Sequence, residues 1–234
     1  MHAIRTSRDL ATRFRLTKST IRTRSTLAIA RQIPDSFTNA LSHHASASTD
    51  DAVSLSKSRC QHEIYLQALR HHVPTICLPP LEANPDCAFV EDTVVAIGNV
   101  AVICRLGHVS RQGESDSIKD VLVQLGVEVI DMRDYKYSDG NADELACCDG
   151  GDVLYTGRHL FVGLSERTNV KGFELLQCVF GDKVEVVLVP PVIQGKDVLH
   201  LKSAGELFFQ TTLIRCSLNF LILQLHYANS DTSR

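Results

Sequence analysis

Two segments in the middle of the chain repeat the same order of predicted elements, and this repeat constrains the fold more than any other feature. Each unit begins with two apolar runs joined by a tight turn, continues with helical periodicity and ends in a third apolar run. The predicted elements lie at residues 93–97, 100–104, 115–125 and 127–130 in the first unit and at 152–156, 159–162, 168–180 and 184–189 in the second. Such β-β-α-β units in series favour a repeat architecture over a doubly wound sheet.

A third, looser unit at residues 20–80 would complete a radial α/β arrangement. Its predicted helix covers residues 59–70, where helical spacing puts Ile64, Leu66 and Leu69 on a common apolar stripe. The polar, Ser-rich stretch 42–58 before this helix predicts a loop or lid. The strands of the two central units are apolar on both faces, which fits strands buried between neighbouring units and outer helices.

Charge and cysteine usage narrow the class of protein. Residues 1–31 hold eight of the 24 Lys and Arg but one of the 27 Asp and Glu, so the remainder carries 16 basic and 26 acidic residues. An acidic body disfavours nucleic acid as a partner and suits a cationic small ligand. No apolar run is long enough to cross a bilayer. Eight Cys without zinc-type spacing or a secretory signal predict reduced thiols and a cytoplasmic location.

Three carboxylates lie close together in one Pro-containing loop, the segment Asn84-Pro-Asp-Cys-Ala-Phe-Val-Glu-Asp92. Like charges at this spacing repel, so Asp86, Glu91 and Asp92 require water, a cation or protonation. A guanidinium or ammonium group would meet that need, because a guanidinium donates planar, bidentate hydrogen bonds to carboxylates. A solvated acidic turn explains the same pattern, and the spacing alone leaves both alternatives open.

Four further candidate residues lie at the ends of predicted elements. Asp149 opens an Asp-Gly-Gly-Asp turn before a strand, where a carboxylate either orients an imidazole or caps the turn. His200 enters an apolar strand start and is either a general acid and base or a structural histidine. Arg111 and Arg167 follow the two predicted hairpins at equivalent positions, either as clamps for a substrate carboxylate or as surface side chains near a helix start.

Taken in order, these segments resemble the dimethylarginine dimethylaminohydrolase family of the pentein superfamily, whose members modify guanidino groups. The resemblance is carried by Ile33-Pro-Asp-Ser-Phe37, the acidic loop 84–92, Asp149-Gly-Gly-Asp-Val-Leu-Tyr-Thr-Gly157, Phe161-Val-Gly-Leu-Ser-Glu-Arg-Thr-Asn169 and His200-Leu-Lys-Ser203. It divides the chain into a basic extension at 1–19, a family-like domain at 20–203 and a divergent tail at 204–234. It implies a five-bladed α/β propeller of β-β-α-β repeats, incomplete here with about three to four blades, and a site in the central channel.

The resemblance also implies an activity and a set of site residues. It implies hydrolysis of methylated arginines, such as asymmetric dimethylarginine and monomethylarginine, to citrulline and methylamines by a Cys/His mechanism without a cofactor or a metal. By position, His200 would be the general acid and base, and Asp149 would polarise the guanidinium or orient the catalytic groups. The residues implied to bind substrate are Leu41 in a flexible lid, Asp86, Glu91 and Asp92 at the guanidinium end, Arg111 and Arg167 at the carboxylate end, and Ser203.

The nucleophilic Cys of that mechanism lies near the C-terminus in the family, and this chain departs from the family pattern directly after Ser203. Cys216 is the one Cys beyond that point, but its surroundings do not match, so the nucleophile stays unassigned. The tail lacks turn signals and a closing repeat. Its apolar part, 208–225, would either cover strand edges that an incomplete propeller leaves open or promote aggregation.

Two functions therefore stay open. The first is a dimethylargininase-type hydrolase whose partner is a small molecule, a methylated arginine. The second is a truncated, non-catalytic protein that binds arginine derivatives or another protein. The oligomeric state and the preference among methylarginines are not readable from the sequence, and the basic extension is either a mitochondrial transit peptide or a solvated tail.

Overall fold

The computed structural model describes residues 25–41, 53–135, 145–190, 200–204 and 221–225. These residues form a mixed α/β structure of short strands and helices. The strands are β1 (Ser25–Arg31), β2 (Thr75–Leu78), β3 (Val94–Ile97), β4 (Val100–Ile103), β5 (Glu128–Asp131), β6 (Val153–Tyr155), β7 (His159–Gly163), β8 (Glu185–Val189) and β9 (Leu221–Leu225). The helices are α1 (Leu55–His72), α2 (Asp116–Gln124), α3 (Val170–Phe180) and α4 (Leu201–Ala204).

The described strands form three three-stranded sheets that share one topology, β2-β1-β9, β3-β4-β5 and β6-β7-β8. In each sheet the central strand pairs antiparallel with one neighbour and parallel with the other. The hairpins β3–β4 and β6–β7 supply the antiparallel pairs, and α2 and α3 lie in the crossovers to the parallel strands. Gly98 turns the first hairpin with a φ of 63°, a left-handed conformation that glycine adopts without steric cost. Both predicted β-β-α-β units are confirmed.

The first sheet obtains its antiparallel strand from the tail instead of from a hairpin. β1 pairs parallel with β2, and β9 adds antiparallel to the other edge of β1, with Leu27 opposite Leu223. The sequence shows no closing repeat in the tail, and the described part of the tail contributes the single strand β9. Its pairing favours the alternative in which the apolar tail covers an open strand edge.

Strand β4 explains why the predicted strands are apolar on both faces. Successive side chains of a strand point to opposite faces. Val100 and Val102 lie in a core shared with the third sheet, whereas Ala101 and Ile103 lie in a core shared with the first sheet. The helices cover these cores with Ile118 and Leu122 of α2 and with Leu175, Leu176 and Phe180 of α3. Each sheet therefore packs against its neighbour, and the strand ends carry the loops of the site.

Helix α1 is longer than the sequence predicts and turns a different face inward. It begins at Leu55, so the predicted loop ends earlier than position 58. Leu66 is buried as expected, but Ile64 is 62% exposed. The prediction that Ile64 lies on the buried apolar stripe is therefore wrong. His62 is buried instead, with its Nε2 atom 2.9 Å from the carbonyl oxygen of Arg31. The buried backbone carbonyl explains why a histidine lies at this buried position, because it gives the imidazole a polar partner.

Several predictions concern residues outside the described ranges. They include the basic extension 1–19, the lid segment 42–52 and Cys216 of the tail. Within the ranges that the structure describes, no helix combines the length and the apolar character that crossing a membrane requires.

We expect a chain that ends after Ala204 to lose the antiparallel partner of β1. The unpaired edge of β1 should exchange its amide hydrogens faster, and the melting temperature should fall by about 2–4 °C for each kcal/mol lost. A chain that ends after Leu225 keeps β9 and is the matched control. Hydrogen exchange followed by mass spectrometry measures the difference, and equal protection of β1 in both chains would refute the pairing.

Candidate functional site

Two 3₁₀ turns from neighbouring units meet at the centre of the site. One turn (Val90–Thr93) directly precedes β3, and the other (Gly150–Asp152) directly precedes β6. A Cβ atom added at Gly150 would collide with a backbone carbonyl of the first turn, and one at Gly151 would lie 2.6 Å from Asp92 Oδ1. The Gly151 amide uses this approach to donate a hydrogen bond of 2.9 Å to Asp92 Oδ1. The paired glycines thus let one turn pack directly on the other.

The Arg111 guanidinium is the buried counter-ion of two acidic side chains. Its Nε and Nη2 atoms donate to the two carboxylate oxygens of Glu114 at 3.1 and 2.9 Å, and Nη1 donates to Asp92 Oδ2 at 2.9 Å. Burial raises the pKa of Glu114 to about 7, although pairing with Arg111 opposes that rise. Arg111 therefore lies inside the site, and all three of its guanidinium nitrogens donate to carboxylates of this chain. This arrangement does not support its expected role as a clamp for a substrate carboxylate.

Asp149 is the carboxylate that this network leaves incompletely paired. Its Oδ1 atom accepts a 2.9 Å hydrogen bond from the Gly107 amide. Its Oδ2 atom has no hydrogen-bond partner among the described residues and lies 3.8 Å from Arg111 Nη1. The side chain is fully buried, and burial raises the pKa of Asp149 to about 6, with the charge of Asp92 adding to the effect. A cation that donates a hydrogen bond to Oδ2 would satisfy it and favour the ionised form.

His200 lies among three carboxylates. Its Nε2 atom is 4.0 Å from Asp92 Oδ1, and its Nδ1 atom is 3.4 Å from Asp152 Oδ1. Burial acts to lower the pKa of His200, but Asp152, Asp92 and Asp149 together raise it above its ordinary value. These carboxylates stabilise the protonated imidazole, which can then donate a proton as a general acid does.

Glu91 is paired by a cation of its own chain. The Nζ atom of Lys202 donates a 2.6 Å hydrogen bond to Glu91 Oε1, and both side chains are largely buried. Burial raises the pKa of Glu91, while the Lys202 ammonium acts against this rise. A solvated acidic turn is therefore not the right description of the 84–92 loop, because its acids are buried and bonded.

Asp86 and Leu41 lie together in the structure. The Leu41 amide donates to both carboxylate oxygens of Asp86, at 3.1 and 3.2 Å. Asp86 is buried, whereas Leu41 is 41% exposed and is the last described residue before the predicted lid. Asp86 thereby ties the start of the lid segment to the acidic loop.

Arg167 carries a buried donor without a protein partner. Its Nη1 atom has no hydrogen-bond partner among the described residues. Its backbone packs on Gly107, where an added Cβ atom would lie 2.5 Å from the Arg167 Cα atom. Because Gly107 also donates to Asp149, the Arg167 loop lies beside the acidic turns. Ser203 belongs to α4, and its side chain is outside the described part of the chain.

Sequence reasoning misses three residues that the structure brings into this site. They are Glu114, Asp152 and Lys202. The sequence around each residue contains a feature that could have indicated it. Glu114 follows Arg111 by three positions on a helical turn. Asp152 is the second acid of the Asp-Gly-Gly-Asp turn, and Lys202 is two positions beyond His200.

Asp92, Asp149 and His200 each bring one potential ligand atom within 4.8 Å of the others, a spacing that could hold a metal ion. The Arg111 guanidinium, however, already donates to Asp92 at 2.9 Å. A metal ion beside that guanidinium would be repelled by its charge. We therefore assign no metal to these residues.

The thiols beside the site motifs are poor candidates for a nucleophile. Cys87 and Cys148 are both fully buried. Burial raises the pKa of Cys87, and contact with Cys104 together with burial raises the pKa of Cys148. A nucleophilic cysteine needs the thiolate form, which these environments disfavour.

Comparison with known proteins gives one consistent family. The model of eukaryotic N,N dimethylarginine dimethylhydrolase matches residues 33–203. An N(G),N(G)-dimethylarginine dimethylaminohydrolase of Streptomyces coelicolor is 37% identical over 145 residues, which is 62% of this chain and 51% of that protein. The protein of the same name from Pseudomonas aeruginosa is 31% identical over 144 residues, 61% of this chain and 52% of that one. The chain thus spans about half the length of the curated relatives it matches.

A solved structure supports the same fold. The dimethylarginine dimethylaminohydrolase of Pseudomonas aeruginosa, a cysteine-to-serine mutant in complex with citrulline, superposes with a TM-score of 0.64 at 28% identity. The match covers 76% of this chain and 64% of that chain. The α/β pentein fold expected from the sequence is therefore confirmed.

We expect Gly150→Ala to disrupt the contact between the two 3₁₀ turns. A methyl group at position 150 has to displace backbone atoms, so the free energy of unfolding should fall by about 1–3 kcal/mol. Gly113→Ala is the matched control, because the nearest atom to its added Cβ is 3.5 Å away. Urea denaturation should show a change of less than about 0.5 kcal/mol for the control. Equal losses in the two variants would contradict the packing described here.

Proposed function

Because the chain belongs to the eukaryotic N,N dimethylarginine dimethylhydrolase family, we propose that its acidic cluster of Glu91, Asp92 and Asp149 binds the guanidinium group of a methylated arginine. The proposed reaction at this site is hydrolysis to citrulline and a methylamine. The observation that carries the proposal is the buried Asp149 Oδ2 atom, which has no hydrogen-bond partner among the described residues. A buried acceptor without a hydrogen bond lowers the free energy of unfolding, so a donor that reaches it stabilises the protein.

A guanidinium fits this acceptor better than a compact cation does. Its planar N–H groups donate to two carboxylates at once. Asp92 and Asp149 bring carboxylate oxygens within 4.8 Å of each other, so one ligand guanidinium would contact both. Arg111 already donates to Asp92 with the same chemical group, and its Nη1 atom lies 3.8 Å from Asp149 Oδ2. The carboxylates of the cluster therefore already bind one guanidinium group, that of Arg111. They are suited to binding a second one from a ligand.

The other end of an arginine derivative is an α-carboxylate, and Arg167 is the proposed partner for it. Its Nη1 atom is buried and unpaired in the described part of the chain. Charged hydrogen bonds of this kind contribute about 1.5–3 kcal/mol. We assign this role to Arg167 alone, because Arg111 is turned toward Glu114 and Asp92.

His200 is the proposed acid and base. In the proposed reaction a cysteine thiolate adds to the guanidinium carbon, the C–N bond to the methylated nitrogen breaks, and His200 donates a proton to the departing amine. Water then attacks the same carbon, His200 takes a proton from it, and the C–S bond breaks to release citrulline. Asp92 and Asp149 hold the carbon in place and keep the group cationic.

The thiol of this reaction stays unassigned, and for that reason binding without turnover is the second candidate function. Cys87 and Cys148 lie beside the motifs, but their environments favour the neutral thiol. Citrulline release from asymmetric dimethylarginine by the purified chain separates the two functions. Release above the uncatalysed background establishes the hydrolase. Saturable binding with no release establishes the binder.

We expect Arg167→Ala to weaken binding of asymmetric dimethylarginine by about 10–100-fold, because it removes the partner of the α-carboxylate. Isothermal titration calorimetry measures this loss. A decarboxylated analogue with the same dimethylguanidinium should lose no affinity in the variant. Arg158→Ala is the control, since Arg158 is an exposed hairpin arginine. Equal losses for both ligands, or for both variants, would contradict the assignment.

A further inference from the structure

We propose that Asp152 is the positioning residue for His200, holding the imidazole proton on Nδ1 so that Nε2 is the atom that exchanges protons with the ligand. The proposal rests on the proposed function only in giving His200 an acid–base role. Asp152 is not among the residues that the sequence resemblance assigns. Its contacts nevertheless connect the His200 segment with the loop that carries Arg167.

One carboxylate oxygen of Asp152 holds the His200 segment. Oδ1 lies 3.4 Å from His200 Nδ1 and accepts a 3.0 Å hydrogen bond from the backbone amide of Leu201. Asp152 is 1% exposed, so water does not compete for this oxygen. Leu201 itself packs on Gly163, where an added Cβ atom would lie 2.9 Å from the Leu201 Cβ atom. The backbone beside the ring is therefore fixed relative to Asp152, and the ring itself lies next to the same oxygen.

The position of the carboxylate decides which ring nitrogen carries the proton. A carboxylate oxygen only accepts hydrogen bonds, so the nitrogen that approaches it is the protonated one. Nδ1 is buried and lies 3.4 Å from Asp152 Oδ1 without a completed hydrogen bond to any described residue, whereas Nε2 is 4.0 Å from Asp92 Oδ1. Asp92 Oδ1 already accepts the Gly151 amide. The neutral ring is therefore protonated on Nδ1, with the lone pair of Nε2 toward the acidic cluster.

The second oxygen of Asp152 holds the loop that carries Arg167. Oδ2 accepts hydrogen bonds of 2.7 Å from Ser165 Oγ and from Thr168 Oγ1. Each hydroxyl has one proton, so both are committed to Asp152 and their lone pairs accept backbone amides. Ser165 Oγ accepts from the Arg167 and Thr168 amides, and Thr168 Oγ1 accepts from the Asp149 amide.

Asp152 thus sets the position of the His200 imidazole relative to the Arg167 guanidinium. Through Oδ1 it orients the imidazole, and through Oδ2 it orders the turn that presents the Arg167 guanidinium. Burial acts to raise the pKa of Asp152, but the nearby His200 ring and the hydroxyl donors of Thr168 and Ser165 lower it. A neutral side chain of the same shape would keep the packing and lose this electrostatic hold on His200.

The test is a ¹⁵N NMR spectrum of the full chain, labelled on histidine and recorded without ligand. The His200 signals are identified by their absence in His200→Gln. We expect the neutral ring to show protonated Nδ1 and unprotonated Nε2. The opposite tautomer would overturn the proposal. This measurement on the unchanged chain remains decisive even where a variant fails to fold.

Asp152→Asn supplies the second readout. We expect the pKa of His200 to fall by about 1 pH unit or more, because a nearby opposite charge is lost while Asp92 and Asp149 remain. Amide exchange at Arg167 and Thr168 should become faster in the same variant. Asp131→Asn is the matched control, since Asp131 is a buried, ion-paired carboxylate at the end of β5. An unchanged pKa of His200 in Asp152→Asn would refute the proposal.

These results are independent of methylarginine binding. If His200 shows the expected tautomer and response but the chain binds no methylarginine, the proposed function fails and the role of Asp152 stands. If the chain binds methylarginine and the tautomer is the opposite one, the role of Asp152 fails and the proposed function stands.

Discussion

The site depends on how buried carboxylates that repel one another are paired. Arg111 pairs with Asp92 and Glu114 by donating from all three guanidinium nitrogens. Lys202 does the same for Glu91. Asp149 receives one backbone amide and keeps an oxygen without a hydrogen bond in the described part of the chain. The proposed cationic ligand would complete the electrostatic arrangement around Asp149.

The fold creates this arrangement by repeating one unit. Each β-β-α-β unit brings a short turn to the start of its hairpin, and neighbouring hairpins share a core. The turns before β3 and β6 consequently meet, and the absence of side chains at Gly150 and Gly151 lets them touch. Acidic residues that lie far apart in sequence are thus held within a few ångströms by backbone packing.

Much of this was predictable, and the exceptions have physical causes. Apolar runs of strand length around Gly98 and Gly157 predict both hairpins, because local turn chemistry and periodicity agree there. Strand β9 was not predictable, since its pairing with β1 depends on a contact between distant parts of the chain. Ile64 was placed on the wrong face of α1 because apolar spacing cannot reveal that the Arg31 carbonyl makes a buried place for His62. The inward direction of Arg111 likewise depends on Glu114 and Asp92 meeting in three dimensions.

The binding affinity for asymmetric dimethylarginine as a function of pH tests the role of Asp149 most directly. The ligand stays cationic over this range, so its affinity should fall as the Asp149 carboxylate takes up a proton below its pKa of about 6. We expect a loss approaching tenfold per pH unit between about pH 6 and 5. Asp149→Asn should bind weakly throughout and lose most of this dependence. The same pH dependence in both chains, or none in the unchanged chain, would contradict a site built around that carboxylate.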